Sequence, residues 1–199
     1  MIDDIVVIDN VIPEIYQKQI FDIVSGKNID FPYYYFSGTG IDYKQNTNES
    51  QLNLDPFSLI ERKKDIGVFV HRLVADGKNN SDHAETILHP FKLFKDRIDR
   101  KLSESKFNID FDKLTRLQAN IVTERKGIFP YHTPWHTDQE FPHLVMIYYV
   151  VDCDGKILFK NGKSVKPKRG RCVIFNGELE HSIELSKTYR LALNFNFLL

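Results

Sequence analysis

The sequence predicts a mainly β fold: a jelly roll braced by helices from its N-terminal half. Three observations point there. From Thr115 onward, short apolar or alternating runs follow one another closely, as strands of a sandwich or roll do. Turn signals separate them, above all Asn-Gly at Asn161-Gly162 and again at Asn176-Gly177. Helical periodicity is confined to two stretches before residue 106.

Taken in order, Ile5 to Asp9 reads as a short strand and Asn10 to Pro13 as the turn into a helix. That helix runs from Glu14 to Ser25, with Ile15, Gln19, Ile20, Ile23 and Val24 on one face and Gly26 as its stop. Residues 29–82 are the least regular. Phe31 to Phe36 is a run of aromatics around Pro32, suited to completing the core or to walling a substrate cleft as a lid, and the polar KQNTNESQ after it reads as a loop. Gly67 to Val74 alternates as a strand before the turn-rich DGKNNSD. Ala84 to Ser105 is the longest helical pattern, carried by Ile87, Phe91, Phe94, Ile98 and Leu102, with Pro90 predicting a kink or a fresh start near His89.

Phe107 to Phe111 is a linker or strand, and Thr115 to Val122 opens the barrel. An irregular loop from Thr123 to Pro134 delivers the chain to His136. Leu144 to Val151 has the continuous apolar character of a strand buried on both faces. Lys156 to Lys160 and Ser164 to Lys168 flank the first Asn-Gly, Arg171 to Phe175 and Glu180 to Leu185 the second, and Tyr189 to Leu198 closes the sheet. The Lys- and Arg-rich stretch 160–171 fits an exposed hairpin.

The 199 residues, 42% of them apolar, suit one domain with a sizeable core. It divides into residues 1–112, helical and irregular support with a candidate lid, and residues 113–199, the β core. Basic and acidic residues balance at 27 each, which argues against a broad polyanion-binding surface. The acidic start MIDDIVVIDN has no signal-peptide character, and the apolar run from Leu144 to Val151 is too short to span a bilayer. Two cysteines, Cys153 and Cys172, make no disulfide framework, are expected to stay reduced, and suit a reducing cytoplasm.

The chemistry centres on His136-Thr137-Asp138. Two side chains separated by one residue on an extended segment project from the same face, about 7 Å apart along the backbone. Two imidazoles and one carboxylate are the set that holds non-haem Fe(II) with open coordination positions, so a distal histidine is required, and His181 on a later strand is the candidate. His132 and His143 are decoys: Pro130 and Pro134 forbid the helix that would pair His132 with His136, and His132 or Trp135 is placed at the mouth of the site. Arg190 lies on the last strand beside apolar Leu191 and Leu193; inside the barrel its guanidinium needs an anionic partner, whereas on an edge strand it would be exposed.

The order of His136, Asp138, His181 and Arg190 along successive strands resembles the Fe(II)/2-oxoglutarate-dependent dioxygenases. Ala119-Asn120 and Tyr148-Tyr149 bring the resemblance closest to the prolyl-4-hydroxylase-like group, especially the small versions carried by bacteriophages. The resemblance implies a double-stranded β-helix, or cupin-like, core. It implies Fe(II) on His136, Asp138 and His181, with 2-oxoglutarate held by Arg190, Tyr149 and Asn120, dioxygen as oxidant and ascorbate as an auxiliary reductant. A C–H bond would be hydroxylated with release of succinate and carbon dioxide, peptidyl proline being the first substrate to test. Two departures stand out: Ile121 aligns where prolyl hydroxylases usually carry a further tyrosine, and Arg190 follows His181 by nine positions rather than ten.

The implied partner is a peptide or protein, with the chain a monomer or homodimer, cytoplasmic, or in the host cytoplasm if phage-encoded. Nucleic-acid demethylation ranks second, because the second arginine usual in repair demethylases, six after the first, is replaced by Asn196. A cupin-like binding module or a capsid-type jelly roll without turnover is the reading from a different class.

Overall fold

A computed structural model describes residues 5–27, 30–36, 67–123 and 132–199. Eleven strands and three α-helices lie within them. The strands are β1 (Ile5–Ile8), β2 (Tyr34–Phe36), β3 (Val68–Ala75), β4 (Lys78–Asn79), β5 (Leu114–Val122), β6 (His143–Tyr149), β7 (Ile157–Phe159), β8 (Ser164–Val165), β9 (Cys172–Asn176), β10 (His181–Ile183) and β11 (Arg190–Leu198). The helices are α1 (Glu14–Val24), α2 (Ala84–Leu93) and α3 (Lys95–Leu102).

Eight strands form one antiparallel sheet in the order β1-β9-β6-β11-β5-β3-β2, with β4 paired to β3. A second sheet runs β10-β7-β8. Both halves of the sequence feed the large sheet, since β1 pairs β9 and β3 pairs β5. Among the described residues, no helix is long and apolar enough to cross a membrane.

The central strands of the large sheet are buried on both faces, and the two-residue side-chain alternation sorts their residues into two cores. Leu144, Met146 and Tyr148 of β6 and Leu191, Leu193, Phe195 and Phe197 of β11 pack with Ile20, Ile87 and Phe91 of the helices. Val145, Ile147 and Tyr149 of β6 and Val173 and Phe175 of β9 turn the other way, against Ile157 and Phe159 of the small sheet. The continuous apolar run read as a doubly buried strand is β6, which starts one residue earlier and ends two residues earlier than expected.

The structure corrects several local expectations. Ile15 is 71% exposed, and Gln17 takes the inward position on α1 because its amide donates to the Ile12 carbonyl while packing against Gly170. The long helix is two helices, and the break falls at Phe94 rather than at Pro90, which sits inside α2. There φ −104° and ψ 22° interrupt the ladder, and the Phe94 ring meets Tyr16 of α1 edge-on at 5.6 Å. Phe107 to Phe111 forms no strand; a single 3₁₀ turn, Phe111–Lys113, precedes β5.

The two Asn-Gly turns differ. The first joins β7 to its partner β8, with Gly162 at φ 86°. The second is not a hairpin: β9 pairs β1 and β6 while β10 pairs β7, so Asn176-Gly177 passes the chain from one sheet to the other. Gly177 is required there for space, since a Cβ would fall 2.1 Å from Nε2 of the buried His143.

Of the aromatic segment, Phe31 is buried against His71 at 3.9 Å, Tyr33 packs partly against the core, and Tyr34 and Tyr35 are exposed. The polar run KQNTNESQ and most of the loop before His132 lie outside the described residues. Cys153 and Cys172 are buried and unpaired. In the basic stretch, Arg171 pairs with Asp9 and Lys160 with Glu180, as an exposed structural hairpin would.

Candidate metal centre

His136 and His181 face each other across an isolated antiparallel bridge, each amide donating to the other's carbonyl at 3.0 Å. Directly opposed residues on paired strands hold their side chains close, and here the ring centroids are 4.6 Å apart. Asp138, two residues beyond His136, completes the group. One ligand atom from each of the three lies within 4.8 Å of the other two. The expected triad is therefore assembled by strand register, from positions far apart in the chain.

Each imidazole is oriented from behind. Nδ1 of His136 meets the Pro134 carbonyl at 3.0 Å, and Nδ1 of His181 meets the Leu179 carbonyl at 3.3 Å. A proton on Nδ1 leaves each Nε2 lone pair for a metal, the usual arrangement behind a metal-bound histidine. Burial pushes the His181 pKa down to about 4 against the pull of Asp138, so the ring is neutral near pH 7. Burial alone would raise the Asp138 carboxyl, but Arg116, the two imidazoles and the Asn196 amide hold it well below the usual carboxylate range. Two imidazoles and one ionised carboxylate fit a ferrous ion.

The centre opens into a cavity of about 610 Å³ lying over β11, β5 and β3. At its floor Arg190 is buried, on a central strand rather than an edge. Its Nη2 donates to the Tyr149 hydroxyl at 3.0 Å, and the guanidinium carbon lies 5.2 Å from that ring's centroid. Nη1 is buried and has no hydrogen-bond partner among the described residues. Burial is the main reason the Tyr149 pKa is raised, so its O–H proton stays in place and is available to donate. An orphaned guanidinium nitrogen beside a phenol makes a site that could take a carboxylate.

Asn120 also lines the cavity, and its Oδ1 is another buried atom without a partner. Ile121 faces the helix side with Ala119, so its aligned tyrosine would not point into the cavity; Gln118, Asn120 and Val122 do. His132 and His143 stay out of the triad as expected. His132 bonds to Ser182 at 2.9 Å, and neither it nor Trp135 is among the described residues lining the cavity, which corrects their placement at its mouth.

Three residues to which the sequence assigned no role at the triad touch Asp138. Asn194 and Asn196 each donate Nδ2 to its Oδ2 at 2.9 Å, and Arg116 approaches the same oxygen at 3.3 Å. The signal for the asparagines was present: Arg190, Asn194 and Asn196 share one face of an otherwise apolar final strand.

Neither a comparison with protein-family models nor a search of curated proteins returned a match. Solved structures do match. One is an oxidoreductase of the 2OG-Fe(II) oxygenase family from Burkholderia pseudomallei, with TM-score 0.64 and 13% identity over 98% of this chain and 84% of that one. Another is a prolyl hydroxylase from Trichoplax adhaerens in complex with a hypoxia inducible factor peptide fragment, with TM-score 0.58 and 13% identity over 98% and 83%. A third is the non-heme alpha ketoglutarate dependent epimerase SnoN from nogalamycin biosynthesis, with TM-score 0.61 and 14% identity over 98% and 78%. At such low identity the likeness speaks for architecture alone. The chain has the double-stranded β-helix fold of the Fe(II)/2-oxoglutarate oxygenases, prolyl hydroxylases among them.

Proposed function

We propose that this protein is an Fe(II)- and 2-oxoglutarate-dependent dioxygenase that hydroxylates a C–H bond, with a peptidyl residue such as proline as the substrate to test first. The observation that carries the reading is the pairing of the His136, Asp138 and His181 group with a buried, half-satisfied Arg190 in one cavity. Within this reading, His136 and His181 offer Nε2 and Asp138 offers Oδ1 to the ion. Arg190 and the Tyr149 hydroxyl grip the far carboxylate of 2-oxoglutarate, and Asn120 contacts the co-substrate from β5. Ile147, Ile157 and Ala192 in the cavity wall keep water away from the reacting centre. With the ion, 2-oxoglutarate and dioxygen bound, the site supplies the oxidising power to hydroxylate, and succinate and carbon dioxide are the co-products.

The peptide preference draws on the prolyl hydroxylases of like fold, one of them in complex with a peptide fragment. A second reading keeps the chemistry and changes the substrate to a free small molecule. It is favoured by the likeness to the SnoN epimerase and by the polar cavity wall of Gln118, Asn80 and Thr115.

The test is anaerobic titration with Fe(II) and 2-oxoglutarate, followed by admission of air. A weak visible charge-transfer band and then succinate release are expected, with release stimulated by peptide pools more than by small-molecule pools. Absence of both band and succinate from a folded preparation overturns the reading.

A further inference from the structure

Asp138 has two carboxylate oxygens, and the fold treats them unequally. Three donors converge on Oδ2: Asn194 and Asn196 at 2.9 Å, and Arg116 at 3.3 Å. Oδ1 instead faces His181, with its oxygen 3.9 Å from Nε2. An ionised carboxylate oxygen accepts about two strong hydrogen bonds, so Oδ2 has no good lone pair left for a metal.

The donors are themselves held. Arg116 and Asn196 are direct partners in the β5–β11 register, and Nε of Arg116 donates to Oδ1 of Asn196 at 2.6 Å. That bond fixes which end of the Asn196 amide points at Asp138. Asn196 is fully buried and satisfied at both ends of its side chain; Asn194 is held at one end only, its Oδ1 being buried without a partner.

We propose that Asn196, with Arg116 and secondarily Asn194, is a positioning residue that locks Asp138 as a one-oxygen metal ligand and so keeps a coordination position free for co-substrate. This rests on the metal-site reading above. A carboxylate free to turn could close on the ion with both oxygens and occupy that position. Charge-assisted bonds from neighbouring strands prevent the turn without themselves touching the ion.

The experiment uses the full chain freed of metal and Co(II) alone as the probe, followed by calorimetry and by the visible spectrum of bound Co(II). Wild type is expected to bind. Asn196→Ala and the similarly sized Asn196→Leu should each weaken binding about 10–100-fold and alter the Co(II) spectrum, with Asn194→Ala moving both less. In an Asp138→Ala background, Asn196→Ala should change neither. A folded Asn196→Leu that binds Co(II) with wild-type affinity and spectrum overturns the clamp while leaving the metal reading intact. A wild-type chain that takes up no Co(II) overturns the metal reading and the clamp with it. An effect of Asn196→Ala that persists without Asp138 assigns the residue to packing and also overturns the proposal.

Discussion

The two faces of β11 are both buried, yet they are built to opposite rules. On the helix side, Leu191, Leu193, Phe195 and Phe197 meet other apolar groups, with Phe195 packed edge-on against Phe91 at 5.0 Å. On the cavity side, Arg190, Asn194 and Asn196 take polar and charged groups out of water and leave some of their atoms unpaired. The first face gains free energy from folding; the second costs it. One strand, by alternating, is both the centre of the core and the floor of the site.

Substitutions on the two faces should therefore separate stability from binding. The largest stability effect is expected at Phe195→Ala: about 3–5 kcal/mol lost on denaturant unfolding, while the fraction still folded binds Fe(II) as wild type does. Arg190→Leu should act inversely. It removes a buried charge with an unsatisfied nitrogen, so ligand-free stability should hold or rise, while the 2-oxoglutarate requirement increases about 10–100-fold, in line with the loss of a charge-assisted contact. Tyr149→Phe should be the mildest, weakening 2-oxoglutarate by about 1 kcal/mol with metal affinity unchanged, as read by co-substrate titration at fixed Fe(II). A Phe195→Ala variant that loses metal binding in proportion to neither its unfolded fraction nor its altered packing would erase the contrast between the faces.

How much of this was legible in the sequence depended on range. The triad, Arg190 and the roll could be read because each leaves a mark in order and alternation: a His-x-Asp pair, a distal histidine, a buried basic residue and strands set off by turns. The clamp on Asp138 could not, because it depends on β5 pairing with β11 in a register that sets Arg116 opposite Asn196, some 80 residues away. Asn194 and Asn196 alternate with apolar residues on the last strand, and that alternation alone names no partner for them. Asn176-Gly177 carries a strong local turn signal, but local chemistry cannot say whether the next strand returns to the same sheet or crosses to the other. The inward Gln17 and outward Ile15 were missed for a related reason: helix periodicity does not register a backbone carbonyl waiting for a donor.

The cross-strand bridge between His136 and His181 has a thermodynamic corollary. The same pair of amide bonds that closes the roll at this point brings the two candidate ligands together, so the group is not assembled until the roll has closed. An ion seated there acts as a rivet: it favours the native chain over the denatured one, by about 2.7 kcal/mol when free metal exceeds its dissociation constant a hundredfold. Thermal unfolding midpoints should climb with metal concentration accordingly, as a melting series at rising metal concentration would read.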